Sequence, residues 1–183
     1  MAKTEATKSL IADALKRLAE NTPFDKIRVQ DIVDASGINR KTFYYHFKDK
    51  QDLVCWIFDA EFSEITDTDK NNTTLDELFE MLYANRNFYT AALSSDIQNN
   101  LSEHLYKVIY HGMITKILDV LDVRTMPAAD IAAVAGYFSN AITGSITQWA
   151  RGGMRSSPVD ISDCIYPITE ECLGFFINKH YKG

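Results

Sequence analysis

Cysteine is scarce in this chain, and its few positions exclude the disulfide-based classes of small protein. The 183 residues hold three cysteines, Cys55, Cys164 and Cys172, an odd number with no C-x-x-C pair. A helix rises about 1.5 Å per residue, so Cys164 and Cys172 would lie about 12 Å apart in a predicted helix, too far for a disulfide. We therefore expect three buried, reduced thiols rather than a disulfide framework.

The motifs that support catalysis or metal binding are also missing. The four histidines, at 46, 104, 111 and 180, form no H-x-x-x-H pair and no histidine–carboxylate set at metal-ligand spacing. The sequence has no G-x-G-x-x-G, G-x-x-x-x-G-K or G-x-S-x-G segment, so nucleotide binding and hydrolase chemistry lack support. We expect no enzyme activity, no cofactor and no metal site.

Proline, glycine and long apolar runs are few. The chain has four prolines and eight glycines, and it lacks the alternating apolar runs bounded by Gly or Pro that strands require. Its apolar residues instead recur at helical spacing, which predicts an all-α fold of about nine helices. The longest weakly polar stretch, Ile131–Ile146, is too short to span a bilayer, and the first ten residues lack a signal peptide's apolar segment. We expect a cytoplasmic protein.

Residues 28–53 read as two short helices joined by a glycine turn, followed by the start of a third. The first helix is predicted over Asp31–Ser36, with apolar positions Ile32, Val33 and Ala35. Gly37 stands where a helix-turn-helix needs a residue that tolerates positive φ. Asn39 is a suitable cap for the second helix. The segment is typical of a helix-turn-helix.

The second helix of this segment has one apolar and one polar side. Phe43 and Phe47, four residues apart, fall on one face and are predicted to point into the domain. The remaining side chains include cations, tyrosines and a histidine, which suit contact with a DNA groove. They are Arg40, Lys41, Thr42, Tyr44, Tyr45 and His46. Asp49 is predicted to cap the next helix, whose amides, with Lys48 and Lys50, are candidates for holding a phosphate.

Charge is distributed unevenly along the chain. Residues 1–52 carry ten Lys and Arg against eight Asp and Glu, a net of +2, while the whole chain carries −6. Residues 53–183 therefore carry −8. A mildly basic N-terminal region followed by an acidic remainder suits a protein that binds phosphate groups through one end only. Such binding weakens as the salt concentration rises.

The run from Val29 to Leu53 resembles the DNA-binding domain of TetR-type transcriptional regulators. The resemblance rests on the Ile32-to-Gly37 spacing, the run from Thr42 to Phe47, and the Lys50–Leu53 opening of the next helix. Two further segments, Trp56–Phe58 and Trp149–Pro158, are similar to the branch that regulates dihydroxyacetone-kinase operons. The resemblance implies a three-helix DNA-binding domain over residues 1–48 and a helical effector-binding and dimerisation domain over 49–183.

The resemblance also implies which residues meet DNA. We expect Arg40 and Lys41 at base edges, with guanine favoured for Arg40. Tyr44, His46, Lys48 and Lys50 match family positions that usually bind phosphate, and Tyr45 suits either role. Arg28 stands where the family usually has a capping Ser or Thr. Its side chain cannot accept hydrogen bonds from the helix's backbone amides, although it can contact phosphate. The expected DNA-binding set is Arg28, Gln30, Asn39, Arg40, Lys41, Thr42, Tyr44, Tyr45, His46, Lys48 and Lys50.

The last two predicted helices, about Pro127–Arg151 and Pro158–Lys179, have the composition of an oligomer interface. The first carries small residues, namely Ala132, Ala135, Gly136, Ala141, Gly144 and Ser145. The second carries the apolar stripe Ile161, Ile165, Ile168, Cys172 and Phe175 or Phe176. Pairing with symmetry mates would give the four-helix homodimer interface that the resemblance implies. Pro167 predicts a bend in the last helix.

A small-molecule pocket is predicted in the body, among aromatic and polar side chains that mostly also suit ordinary packing. The candidates are Tyr83, Arg86, Tyr89, Tyr106, Tyr110, His111 and Trp149. The leading hypothesis is a homodimeric TetR-like repressor that binds a palindromic operator and is released by a small-molecule effector. Two alternatives stay open: an activator controlled by a partner protein, and a helical adaptor that does not bind DNA.

Overall fold

The computed structural model describes residues 2–66, 75–95, 100–120 and 126–181, and within them every regular element is helical. The elements are α1 (Ala2–Asn21), a 3₁₀ turn (Phe24–Lys26), α2 (Val29–Ser36), α3 (Arg40–His46), α4 (Lys50–Thr66), α5 (Leu75–Ala84), α6 (Arg86–Ser94), α7 (Asn100–Val120), α8 (Ala128–Arg151) and α9 (Pro158–Tyr181). The all-α prediction is confirmed. The loop predicted at 67–74 and most of the break predicted at 121–127 lie outside the described residues.

Two compact units divide the chain, Met1–Leu101 and Ser102–Gly183. The first contains α1 to α6, and the second contains most of α7 with α8 and α9. The predicted functional boundary between residues 48 and 49 stays a prediction, because the first unit groups helices by packing and not by role. Across the ranges that the structure describes, no helix combines the length and apolarity needed to cross a membrane.

The core of the first unit forms where the apolar stripes of its helices meet. Leu15 of α1, Ile32 of α2, Phe43 of α3 and Phe58 of α4 are each fully buried. Burial of side chains of this size contributes about 1.5–3 kcal/mol apiece, which outweighs the weak intrinsic stability of the eight-residue α2 and seven-residue α3. The two short helices therefore depend on this shared core.

A polar cluster on Glu61 ties three helices of the first unit together. The Glu61 carboxylate of α4 accepts hydrogen bonds from Lys16 Nζ of α1, from Tyr89 Oη of α6, and from Asn85 Nδ2 at 2.9 Å. Tyr89 is fully buried, and this burial, followed by the nearby Glu61 charge, raises the pKa of its hydroxyl well above the usual value. The cluster fixes α4 against α1 and α6.

The second unit joins its helices through apolar contacts and a few polar pairs. Lys116 of α7 pairs with Glu170 of α9, and Tyr181 Oη donates to Asp130 at 2.9 Å. The start of α9 is capped reciprocally: the Ser157 hydroxyl accepts from the Asp160 amide at 3.2 Å, and the Asp160 carboxylate accepts from the Ser157 amide at 3.3 Å. Helix α9 continues through Pro167.

The apolar stripe predicted on α9 is not the side that packs within the chain. The buried positions of α9 are Pro158, Ser162, Thr169, Leu173 and Ile177. Ile168 and Phe175 are 58% and 67% exposed, while Ile161, Ile165 and Phe176 are half-buried. The prediction of three buried thiols is wrong for Cys164 and Cys172, which are exposed, and Cys55 is half-buried. The last helix thus carries two stripes: one is buried within the chain, and the other is half-buried or exposed.

Candidate DNA-binding surface

Local hydrogen bonds shape the α2–turn–α3 segment as the sequence predicted. Gly37 has φ 68°, the left-handed conformation that the elbow requires. Asn39 Oδ1 accepts from the Thr42 amide at 2.8 Å and from the Thr42 hydroxyl at 3.0 Å, so α3 begins on a satisfied cap. On α2 the apolar assignment of Ala35 is wrong: Ala35 is exposed, and Ser36 is buried instead. The Ser36 hydroxyl donates to the Ile32 carbonyl at 2.7 Å, which satisfies it there.

Helix α3 presents opposite chemistry on its two sides. Phe43 and Phe47 are 0% and 3% exposed, with ring centroids 5.9 Å apart, and Phe47 packs against Trp56 of α4 at 5.8 Å. These contacts anchor the helix to α4. The prediction that both phenylalanines face inward is confirmed.

The outward side of α3 is rich in cations and aromatic rings. Tyr45 is 81% exposed and Tyr44 is 47% exposed. Arg40 Nη2 donates to Tyr44 Oη at 3.3 Å, and the guanidinium carbon lies 5.5 Å from the ring centroid of Tyr44. We name the exposed side chains Arg40, Lys41, Tyr44 and Tyr45 the α3 face. Such a face offers donors for base edges and flat rings for the sugar–phosphate backbone.

Arg28 and Gln30 lie at the start of α2, and both are exposed. The Asp31 carboxylate accepts from the Arg28 backbone amide at 2.7 Å. The Arg28 guanidinium has no acceptor atom, so the reciprocal half of the cap is missing, as its chemistry predicts. Gln30 Nε2 donates to Asp34 at 2.8 Å. Arg28 therefore holds its cation at the surface while its backbone is satisfied.

Two carboxylates accept hydrogen bonds from backbone amides at the start of α4. The Asp49 carboxylate accepts from the Asp52 amide, and the Asp52 carboxylate accepts from the Lys48 amide, both at 2.9 Å. The amides of Lys48 and Asp52 are therefore already occupied, so the expected amide clamp for a phosphate loses these two donors. The Lys48 side chain stays exposed.

Lys50, a predicted phosphate contact, is engaged within the chain. Its ammonium donates to the backbone carbonyls of Phe24 at 2.5 Å and Ile27 at 2.9 Å, and it lies 4.4 Å from the Phe24 ring centroid. Desolvation lowers the pKa of Lys50, and the nearby Asp25 charge acts in the opposite direction. Two of the three ammonium donors are thus used to hold the 3₁₀ turn, which stabilises the link into α2.

The seven predicted pocket residues are divided between the two units, and the pocket stays a prediction. Tyr83, Arg86 and Tyr89 belong to the first unit, and the other four belong to the second. Tyr83 lies under the Arg86 guanidinium at 5.1 Å, Tyr110 stacks on Tyr106 at 5.8 Å, and His111 Nδ1 lies 2.7 Å from the Lys107 carbonyl. Trp149 Nε1 donates to the Ser156 carbonyl at 3.1 Å. Of the seven candidates, Tyr106 lines the cleft between α7 and α8.

Sequence reasoning missed two sets of residues. One is the Glu61 cluster on α4, where a single carboxylate in an ordinary helix gave no signal of its partners. The other is the polar lining of the α7–α8 cleft, which includes Thr143, Thr147 and Gln148. Nothing in the sequence pattern marked their hydroxyls and amides as lining a cavity.

Comparison with known proteins decides the family. Residues 11–55 match the family described as bacterial regulatory proteins of the TetR family, and residues 69–171, more than half of the chain, match a transcriptional regulator C-terminal region. The chain belongs to the TetR family of transcriptional regulators. The resemblance inferred from the helix-turn-helix motif is confirmed, and the families matched are regulators rather than enzymes. TetR-family regulators bind DNA and dimerise.

Individual relatives are more distant. The chain is 29% identical over 122 residues to the HTH-type dhaKLM operon transcriptional activator DhaS of Lactococcus lactis, an alignment that covers 64% of each chain. The alignment thus spans less than two thirds of that relative. In fold, the structure is similar to the dihydroxyacetone kinase operon activator DhaS, with a TM-score of 0.68 at 20% identity over 92% of this chain and 97% of the other. A TetR-family regulator from Syntrophomonas wolfei gives a TM-score of 0.65 at 13% identity, over 92% and 95%.

Proposed function

We propose that this TetR-family regulator binds a palindromic DNA operator as a homodimer and represses transcription until an effector releases it. The observation that carries the proposal is the α3 face, which exposes two cations and two tyrosines above two buried phenylalanines. A helix of this kind lies in the major groove, and two such helices in a dimer read half-sites one helical turn apart or a multiple of it.

Individual contacts follow from the geometry of the α3 face. Arg40 and Lys41 meet base edges, with a bidentate Arg40–guanine contact as the main source of specificity. Tyr44, His46, Lys48 and Arg28 meet phosphate, Tyr45 meets either, and Gln30, Asn39 and Thr42 lie at the border of the surface. Lys50 is left out of the proposed contacts, because its ammonium is engaged by the carbonyls of the 3₁₀ turn. It acts on DNA binding only by supporting α2.

The proposed dimer forms through α8 and α9. Support comes from the second stripe of α9, where Ile168 and Phe175 are exposed in the single chain, and from Tyr137 of α8, which is 72% exposed. Large apolar side chains in such a row are typical of a protein interface. An effector that binds the dimer with different affinity in its DNA-bound and free forms would shift the population away from DNA.

An activator controlled by a partner protein is the second candidate. One observation favours it: the curated relative at 29% identity is described as a transcriptional activator. A reporter gene placed behind the selected operator separates the two, because loss of the regulator raises expression from a repressed promoter and lowers it from an activated one.

In-vitro selection from random duplex DNA tests the proposal. Wild-type protein is expected to enrich a palindrome, and an Arg40→Ala/Tyr44→Ala double variant is expected to lose it. A Gln51→Ala variant, changed at a partly exposed α4 position outside the proposed contacts, is the matched control and keeps the enrichment. Absence of any enriched sequence at low salt would overturn specific DNA binding by the chain alone and favour the adaptor reading.

A further inference from the structure

Arg40 and Lys41 are neighbouring cations of the α3 face, and their side chains are held differently. Arg40 Nη2 donates to Tyr44 Oη at 3.3 Å, and the guanidinium carbon lies 5.5 Å from the Tyr44 ring centroid. Lys41 is exposed beside it, and its side chain has no hydrogen bond, ion pair or ring contact in the part of the chain that the structure describes. Of these two cations, the one with a set orientation is therefore Arg40.

The Tyr44 ring is itself supported from inside the domain. It stands edge-on to Phe43, with ring centroids 5.4 Å apart and an interplanar angle of 86°. Phe43 is fully buried and contacts Phe47, which packs against Trp56 of α4. A row of aromatic rings thus runs from α4 to the surface of α3 and ends at the Arg40 guanidinium.

Both partners of this contact keep hydrogen-bonding capacity for DNA. A guanidinium has five N–H donors, and the Tyr44 bond uses one of them, so enough remain for two parallel bonds to O6 and N7 of a guanine. The Tyr44 oxygen is the acceptor in the contact, so its own hydrogen is left to donate to a phosphate oxygen. Hydrogen bonds in such a chain polarise one another, so a phosphate contact would strengthen the hold on Arg40.

A guanidinium held before binding reads a base more selectively than a mobile one. Ordering a long, exposed arginine in a complex costs conformational entropy, and a contact that orders it beforehand lowers this cost. The ring and hydroxyl also restrict the plane of the guanidinium, on which a bidentate contact depends. An unrestrained arginine can turn to a phosphate or to another base, which weakens its preference for guanine.

We propose that Tyr44 is the positioning residue for base reading by Arg40, so that it determines specificity as well as contacting phosphate. Its ring and hydroxyl hold the guanidinium in the plane in which it contacts guanine, while its O–H donates to the DNA backbone. The inference rests on the proposed DNA-binding function and adds to it, because a tyrosine that only contacts phosphate would weaken binding equally on all sequences.

Single-base variants of the selected operator test the role of Tyr44 in base reading. The pair read by Arg40 is the one at which Arg40→Ala loses its preference for guanine. With that pair changed from G·C to A·T in one half-site, the ratio of the two operator affinities measures the guanine preference. We expect Tyr44→Phe, which keeps the ring and removes the hydroxyl, to lower this ratio about fivefold, the size of one hydrogen bond's contribution. Equal weakening on both operators, with the ratio unchanged, would refute the positioning role.

Tyr45→Phe is the matched control for this experiment. It removes the same atom from the adjacent tyrosine of the α3 face, whose described ring contact is with His46 at 4.9 Å. Whatever its effect on overall affinity, its guanine preference at the Arg40 pair should equal that of wild type. An equal loss of preference in the two variants would overturn the assignment of this role to Tyr44.

Side-chain NMR on the free protein tests the contact without DNA. Heteronuclear NOE values of the arginine Nε–Hε groups report the motion of each guanidinium. We expect Arg40 to be more ordered in wild type than in Tyr44→Ala, which removes both ring and hydroxyl, while the exposed Arg155 is equally mobile in both proteins. Equal mobility of Arg40 in the two proteins would refute the positioning role whether or not the chain binds DNA.

The two measurements separate failure of this inference from failure of the proposed function. Wild-type protein that enriches no operator would refute DNA binding and the reading role with it, although an ordered Arg40 would still establish the contact with Tyr44. Operator binding with an unchanged guanine preference in Tyr44→Phe would refute the reading role alone.

Discussion

The two units of this regulator differ in where their side chains find partners. In the first unit, Lys50, Glu61 and Ser36 all bond inside the chain, and the large exposed side chains on α3 are tyrosines. In the second unit, α9 exposes Ile168 and Phe175, and the buried Thr143 hydroxyl lacks a partner in the described residues. The comparison shows that these polar groups of the first unit are satisfied within the chain, whereas the second unit leaves large apolar side chains of α9 exposed.

The largest loss of stability is expected in the first unit, from removal of the buried Phe43 ring. Phe43→Ala deletes a fully buried side chain that contacts Phe47 and Tyr44. We expect the free energy of unfolding to fall by about 3–5 kcal/mol, with DNA binding lost as α3 detaches from the core. Urea denaturation followed by circular dichroism, at fixed protein concentration, measures the loss. Tyr45→Ala, on the exposed side of the same helix, should lose DNA affinity while keeping the wild-type midpoint.

In the second unit, we expect substitutions in the exposed stripe of α9 to disrupt dimerisation. An Ile168→Glu/Phe175→Glu variant places two charges in the proposed interface, and desolvating them should weaken dimerisation at least a hundredfold. Analytical ultracentrifugation is expected to show monomers where wild type is dimeric. Ser63→Glu adds a charge at an exposed position of α4 and should remain dimeric. An unchanged dimer in the double variant would place the interface elsewhere.

We expect the Glu61 carboxylate to contribute more to the free energy of unfolding than any other partly exposed carboxylate of the first unit. Glu61→Ala leaves the buried Tyr89 hydroxyl and the Lys16 ammonium without their acceptor, which we expect to cost about 2–3 kcal/mol of unfolding free energy. Glu64→Ala, on the exposed side of the same helix, is the control and should leave the unfolding midpoint unchanged. Equal stability of the two variants would mean that the cluster does not hold α4.

The smallest expected effect distinguishes Lys48 from Lys50, which were both predicted to hold a phosphate. Lys50→Met removes the ammonium that holds the 3₁₀ turn, and we expect about 1–2 kcal/mol of destabilisation with an unchanged salt slope of operator binding. Lys48→Met should do the reverse: stability stays the same, and the slope of log affinity against log salt falls by about two units, one for each Lys48 of the proposed dimer. Fluorescence anisotropy across a salt series measures both slopes. A reduced slope for Lys50→Met would restore the phosphate contact that the sequence predicted.

Sequence reasoning worked where the determining contacts are local. Gly37, the Asn39 cap and the Phe43–Phe47 pair each act within one or two helical turns, so the helix-turn-helix could be predicted residue by residue. It failed where distant segments meet. The direction of the Lys50 side chain depends on a turn 23 to 26 residues away, and Glu61 bonds to partners up to 45 positions away.

Helix α9 shows a different limit of pattern analysis. Its residues satisfy two stripes at once, one through Thr169, Leu173 and Ile177 and one through Ile168 and Phe175. Helical spacing identifies both as apolar faces but does not say which one packs inside the chain. The exposure of Cys172, on the second stripe, follows from the same ambiguity.

The closed junction between α3 and α4 has a consequence for how this regulator tolerates variation in its DNA sites. The Phe47 amide bonds to the Phe43 carbonyl at 2.9 Å, and the Lys48 and Asp52 amides bond to carboxylates, so each of these backbone groups is held as the chain passes from one helix to the next. In the proposed DNA complex, these bonds would hold α3 in a fixed orientation relative to α4. Variation among the operators that such a dimer accepts would then lie more in the spacing of the half-sites than in their base sequence.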